Sequence, residues 1–299
     1  MTDPVSSNDT AATIGPAQRD RPTHDGPAGW RIGVARRVGV LSVPFEWLVR
    51  FVRIIESAIP IGLLRRSDIG RIVHMAYAEA PDFYDPDKYR IRYEEQLLPL
   101  IERSVGAANG RRLLDLYCGH GREAEIFSRT GFDVFAVDAQ PAVIERARQY
   151  AREAGFAAQF TIADIDSWSP ADRNWDVIYT SLWMYSTIPD RDSRVDWLRR
   201  LSGWLAPGGC MIISITPWSS GYAAALRHAV AWIVRILTLN PRRPELGDRF
   251  HTGLFWHDFT SSALHAELAA AGMQVVDSLE IGGGTPCDLH LLQVAGEED

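Results

Sequence analysis

Five short apolar runs occupy the middle of the chain and restrict what it can fold into: Arg112–Tyr117, Asp133–Val137, Ala158–Ile162, Asp176–Ser181 and Cys210–Ile215. They are rich in Val, Ile, Leu and Phe, as parallel strands buried on both faces must be. Helix-length stretches lie between several of them: Glu123–Arg129, Pro141–Glu153 with proline in the first turn, and Arg194–Leu205. A further helix is predicted over Tyr93–Val105, ended by the Gly106–Gly110 segment. Strand–helix alternation of this kind predicts an α/β fold, doubly wound, with helices on both faces of a mostly parallel sheet.

The first strand runs into Leu113-Leu114-Asp115-Leu116-Tyr117-Cys118-Gly119-His120-Gly121-Arg122-Glu123. Gly119 and Gly121 allow a sharp turn and a close backbone approach to a ligand, and the following helix points its amides at the same place. Two glycines one residue apart are a weak signal, and Gly119-x-Gly121-x-x-Ala124 also fits a dinucleotide fingerprint. The second strand, however, ends at Val137-Asp138, where a carboxylate can accept both hydroxyls of a ribose, and the third ends at Ala163-Asp164. One aspartate at a strand end is an ordinary turn former. Two in step with a glycine turn converge on the crevice where open α/β sheets bind ligands, so a nucleotide site is predicted there.

With these residues the chain resembles the class I S-adenosylmethionine-dependent methyltransferases, over about residues 84–295. The resemblance implies S-adenosylmethionine as cofactor. It places Asp115 and the Tyr117-Cys118-Gly119-His120-Gly121 turn at the cofactor's amino-acid end, Asp138 with Ala139 at its ribose, and Asp164 with Ile165 at its adenine. Ser181 and Leu182 fall at the tip of the fourth strand, Ala206-Pro207-Gly208-Gly209 before the fifth, and Phe259–Gly272 at the last crossover helix. Met273–Ile281 and Cys287–Val294, joined by three glycines, match the closing antiparallel hairpin, which implies seven strands in all. Tyr117 and His120 depart from the small residues commonest in such a turn.

The rest of the chain bounds this expectation. A formal net charge of -7 argues against nucleic acid as the main partner, since phosphate binding needs clustered Lys and Arg. Cys118, Cys210 and Cys287 lack metal or disulfide spacing, so no metal is expected and a reducing cytoplasm fits. Residues 1–29 read as a disordered tail without an apolar signal segment. Residues 30–83 read as an N-terminal helical segment, and 84–299 as the catalytic domain with a helical insertion over 218–250. From Arg31 to Arg71 eight arginines face Glu46, Glu56 and Asp68. A helix over Phe45–Ile55 would carry one thin polar stripe and so would bury most of its circumference. It is expected to pack as a lid; the alternative is an interfacial helix giving peripheral membrane contact through 31–71.

Methyl transfer from a sulfonium asks mainly for alignment and exclusion of water. An acceptor protonated at neutral pH needs a base, and His251 and His257 are the candidates. Trp183, Tyr185, Trp218, Phe255 and Trp256 are candidates for an aromatic acceptor wall, with core packing the alternative. The apolar helix predicted over Tyr222–Leu239 is expected to roof the site, which favours a small or lipophilic acceptor. Two other classes stay open: an NAD(P)-dependent oxidoreductase, against which Asp115 and the C-terminal hairpin count, and a non-catalytic methyltransferase-like subunit.

Overall fold

The computed structural model describes residues 46–79, 93–218, 221–251, 253–281 and 287–296. The predicted tail and the triple glycine of the last hairpin lie outside the described residues. The chain divides into two compact units, 1–51 and 52–299, and the second carries the sheet.

A first helix, α1, runs over 46–63. After α2 (Arg66–Glu79) and α3 (Glu94–Val105) come β1 (Arg112–Leu116), α4 (Arg122–Thr130), β2 (Asp133–Asp138), α5 (Pro141–Ala154), β3 (Gln159–Ile162) and β4 (Trp175–Thr180). A 3-10 turn at Met184–Thr187 leads to α6 (Arg191–Ser202), β5 (Leu205–Pro217), α7 (Tyr222–Thr238), β6 (Asp248–His251), β7 (Leu254–Phe259), α8 (Ser261–Ala270), β8 (Met273–Ile281) and β9 (Cys287–Val294). The helix ends follow local chemistry. Proline opens α5 and Gly155, in the left-handed region, closes it. The Thr260 hydroxyl accepts a hydrogen bond from Ala263 N at the start of α8.

The sheet follows the order β3-β2-β1-β4-β5-β7-β6, with β9 also on β5 and β8 on β9. Strands β1 to β5 are parallel, and β9 runs antiparallel to β5. β5 is long because its edge serves two partners: β9 along Met211–Ile215 and β7 at Thr216–Pro217. Two strands therefore exceed the seven predicted. They come from the stretch between the fifth strand and the last helix, which begins inside the predicted helical insertion. There Asp248 pairs with His257 and Arg249 with Trp256 in an antiparallel hairpin. Its charges are tolerated because they neutralise one another: Arg249 Nε donates to Asp258 Oδ1 at 2.8 Å, and His257 Nδ1 lies 2.9 Å from Asp248 Oδ1.

Alternation along β1 builds both core layers. Leu113 packs with Leu97 and Ile101 of α3, Phe127 of α4 and Ile144 of α5. Leu114 and Leu116 face the opposite layer, with Val195, Leu198 and Leu201 of α6 and Leu264 and Leu268 of α8. Asp115 falls by the same alternation on the Leu113 face, fully buried, at the carboxyl end of the strand.

Candidate active site

The turn after β1 is built around positive backbone angles. Tyr117 has φ +61°, Gly119 +53° and Gly121 +82°. The tyrosine is a non-glycine residue in the left-handed region, which costs about 1–3 kcal/mol and persists only where the surroundings enforce it. At Gly121 a Cβ would lie 3.2 Å from the Phe160 ring, so the start of α4 approaches β3 as closely as glycine allows.

Asp138, at the end of β2, fixes this turn from the side. Its Oδ2 accepts from Gly119 N at 3.1 Å and its Oδ1 from Gln140 N at 2.9 Å. Burial raises its pKa, and the backbone donors pull it back down. Each oxygen retains a lone pair for a ligand hydroxyl. Beyond β3, Asp164 Oδ1 accepts from Asp166 N at 3.1 Å, and Arg200 of α6 donates to Ile165 O at 2.8 Å, holding the Asp164–Asp166 turn.

Asp115 is the outlier. Both of its carboxylate oxygens are buried with no hydrogen-bond partner among the described residues. Burial, with Glu123 and Asp138 close by, lifts its carboxyl well above the usual carboxylate range. A buried carboxyl without a hydrogen-bond partner beside a glycine turn could be satisfied by a cationic group such as an ammonium.

A cavity of about 500 Å³ opens over the carboxyl ends of β1, β2 and β3. Of the residues singled out in the sequence, Tyr117, Asp138, Ala139, Asp164, Ile165 and Ser181 line it. Its opposite wall comes from α2, where Arg66, Gly70, His74 and Tyr77 recur at helical spacing on one face. The His74 Nε2 lies 3.4 Å from Gln140 Nε2. This wall was missed in the sequence, although the 66/70/74/77 periodicity was the available signal. Cys118, Gly119, His120 and Gly121 form the turn itself, and Leu182 packs against the core layer of β1. The predicted roof differs too, since the wall facing the strand ends is α2.

The remaining candidates stand elsewhere. Tyr185 is fully buried, stacks on Phe259 at 5.3 Å and donates to Glu267 Oε2 at 2.7 Å. Phe255 is buried beneath the Arg242 guanidinium, 5.2 Å from its ring, and Trp256 lies under Arg249 on the β6–β7 hairpin. Trp218 faces a separate depression with Phe259 and Leu264. Trp183 has φ +64°, and its backbone N donates to the Ser214 hydroxyl. His251 is exposed at the end of β6. His257 is buried in an ionic network. Burial opposes it, but His257 and Arg242 hold the Asp248 carboxyl below its usual range. Glu245, Asp248 and His257 present ligand atoms within 4.8 Å of one another, yet Arg194 bonds Glu245 at 2.6 Å and Arg242 bonds Asp248 at 2.5 Å.

The fold is a Rossmann-like domain with a glycine turn and aspartates at three strand ends. Residues 113–209 match the family model described as a methyltransferase domain. Over these residues the chain is similar to that methyltransferase domain, and it shares the fold of a solved S-adenosylmethionine-dependent methyltransferase of Clostridium acetobutylicum, with a TM-score of 0.52 at 16% identity. It is 29% identical over 174 residues to the ubiquinone biosynthesis O-methyltransferase of Azorhizobium caulinodans, covering 58% of this chain and 62% of that protein. It is 30% identical over 138 residues to the trans-aconitate 2-methyltransferase of Delftia acidovorans, covering 44% of this chain and 48% of that protein. The chain thus spans less than two thirds of these relatives' lengths. Among solved structures, the 1,6-didemethyltoxoflavin-N1-methyltransferase of Burkholderia thailandensis shares the fold with a TM-score of 0.55 at 16% identity, over 78% of this chain and 92% of that one.

Proposed function

We propose that this chain transfers a methyl group from S-adenosylmethionine to a small, lipophilic acceptor bearing an ionisable hydroxyl. The observation that carries the reading is the unpartnered, fully buried Asp115 beneath a glycine turn whose neighbouring strand ends, Asp138 and Asp164, open into one cavity. The residues fit the cofactor. Asp115 and the Gly119–Gly121 turn would hold its amino-acid end, Asp138 its ribose hydroxyls, and Asp164 with Ile165 its adenine. When bound, S-adenosylmethionine supplies an electrophilic methyl group on a sulfonium with a neutral leaving group.

The chain's own task is then to bind, orient and dehydrate the acceptor, and to accept its proton. Tyr77, Met184, Ile188 and Trp197 give the cavity an apolar wall. His74 is the histidine that lines it, so we place the base there and give His257 a structural role with Asp248. Relatives at 25–31% identity include O-methyltransferases of ubiquinone biosynthesis, which supports oxygen as the accepting atom.

The test supplies the purified chain with methyl-labelled S-adenosylmethionine and phenols with and without a prenyl tail, beside polar dicarboxylates. Label on the phenol oxygen, improved by the tail, is the expected outcome. Preference for the dicarboxylates, or no transfer by protein that binds S-adenosylhomocysteine, contradicts the acceptor assignment.

A further inference from the structure

Helix α7 is apolar on its exposed face as well as on its buried one. Its exposed residues Tyr222, Ala225, Ala229, Ile233, Ile236 and Leu237 form one continuous stripe without a charged group, and the exposed Thr238 hydroxyl at its end is bonded back to Val234 O. Leu237 is 77%, Ile236 60% and Ile233 57% exposed. Its two arginines turn toward the protein: Arg227 Nε donates to Asp248 O at 2.8 Å and Arg235 Nε to Arg242 O at 2.9 Å.

The second half of α1 extends this surface. Ala58 and Ile61 pack on Ala231, and a Cβ at Gly62 would lie 2.3 Å from Ala231 O, so the two helices touch backbone to backbone. Asn240 Nδ2 closes the pair by donating to Gly62 O at 2.9 Å and Leu64 O at 2.8 Å. With that side buried, Val52, Ile59 and Leu63 face outward. The predicted burial of most of this helix is thus replaced by one buried stripe and an apolar outer face. Soluble monomers rarely expose contiguous apolar patches of this kind without a partner.

Charge identifies the partner. In a chain with a net charge of -7, the exposed charged residues of segments 52–66 and 222–246 are Arg53, Arg65, Arg66 and Arg243 against Glu56. An apolar helical face rimmed by arginines on an acidic protein fits an anionic bilayer surface. A second copy would bring the same arginines near one another across a two-fold interface. No helix among the described residues is long and apolar enough to cross a membrane, and α7, at 17 residues, would lie along one.

We propose that the paired α1 and α7 face docks this protein on an anionic lipid bilayer, with α7 lying in the interface. Arg66, at the cavity, closely follows exposed Leu63 in the chain, so an acceptor dissolved in lipid would reach the site at the docked edge. That route rests on the lipophilic-acceptor reading; the docking does not.

The test is co-sedimentation of the full chain with phosphatidylcholine vesicles, with and without about one third phosphatidylglycerol, at salt concentrations from about 0.05 to 0.5 M. Binding to the anionic vesicles, weakened by salt, is expected. Ile236→Glu with Leu237→Glu, and separately Arg53→Glu with Arg65→Glu and Arg243→Glu, should each lower the bound fraction at least about tenfold with melting curves unchanged; Ile233→Ser is the milder companion if either fails to fold. No sedimentation, or sedimentation indifferent to these changes, overturns the proposal. So does a dimer in sedimentation velocity that Leu237→Glu dissociates while vesicles stay unbound, since a second copy would then cover the face. Titration of the same samples with S-adenosylhomocysteine separates this failure from failure of the methyltransferase reading.

Discussion

Asp138 Oδ2 accepts a hydrogen bond from Gly119 N at 3.1 Å, so the carboxylate that closes β2 also fixes the turn that closes β1. One side chain therefore shapes the crevice that it lines and, on the proposed reading, takes the ribose hydroxyls. Asp138→Ala should weaken S-adenosylhomocysteine binding by about 2–4 kcal/mol, or ~30- to 1000-fold. Because the Gly119 and Gln140 amides lose their acceptors, it should also cost about 1–2 kcal/mol of stability. Asp138→Asn, which keeps one acceptor oxygen, should fall between in both. Calorimetry and melting curves on the three proteins check this; a stability loss with unchanged affinity would leave Asp138 a turn former only.

On the proposed reading, Asp115 couples cofactor binding to pH. Its folded-state pKa is raised, so between the ordinary aspartate value and that raised value the folded chain holds a proton the unfolded chain has lost. The stability of the cofactor-free protein then falls as pH rises through that window, and above it the penalty is complete. Asp115→Asn removes the buried charge and should stabilise the cofactor-free protein at neutral pH by about 1–3 kcal/mol while weakening cofactor binding. Melting temperatures across pH, with and without S-adenosylhomocysteine, read both effects. A destabilised Asn variant at neutral pH would contradict the account.

Tyr185 and Glu267 divide structure from catalysis on the other side of the sheet. Arg194 is fully buried and bonds Glu267 at 3.0 and 2.7 Å, so Glu267→Ala leaves a guanidinium only partly compensated by Glu245 and should cost about 3–5 kcal/mol. Tyr185→Phe loses one hydrogen bond and should cost about 1 kcal/mol without changing the acceptor KM. A raised acceptor KM in Tyr185→Phe would return this residue to the substrate wall.

On the proposed reading, His74→Gln should lower kcat about 10²- to 10⁴-fold at neutral pH, with cofactor affinity unchanged. His257→Gln should instead lower stability, because Asp248 loses its imidazole partner. Equal kinetic losses in both variants would argue against a base at His74.

What the sequence disclosed tracks how local each signal is. Leu113–Leu116, Val134–Val137 and Ile212–Ile215 read as buried strands because both faces lie under helices and nearly every position is apolar. Asp138 and Asp164 were legible because they end such strands. The β6–β7 hairpin was not, since Asp248, His257 and Asp258 look polar until Arg242 and Arg249 are placed against them. His74 was hidden for another reason: the residues it meets across the cavity follow β2 and β3, and nothing in α2 alone says that its 66/70/74/77 face meets strand ends. The aromatics at 185 and 255 were assigned to a wall by their position near strand ends, but they fill the core around buried ion pairs.

The central claim, that the crevice over Asp115, Asp138 and Asp164 holds S-adenosylmethionine, is tested most directly by calorimetric titration of the wild-type chain with S-adenosylhomocysteine beside NAD. The account predicts one saturable site for S-adenosylhomocysteine, no heat of binding with NAD, and an affinity lost on Asp138→Ala in a protein that still melts cooperatively. Saturable NAD binding at that crevice, or a cooperatively folded wild type that binds no S-adenosylhomocysteine, would contradict it.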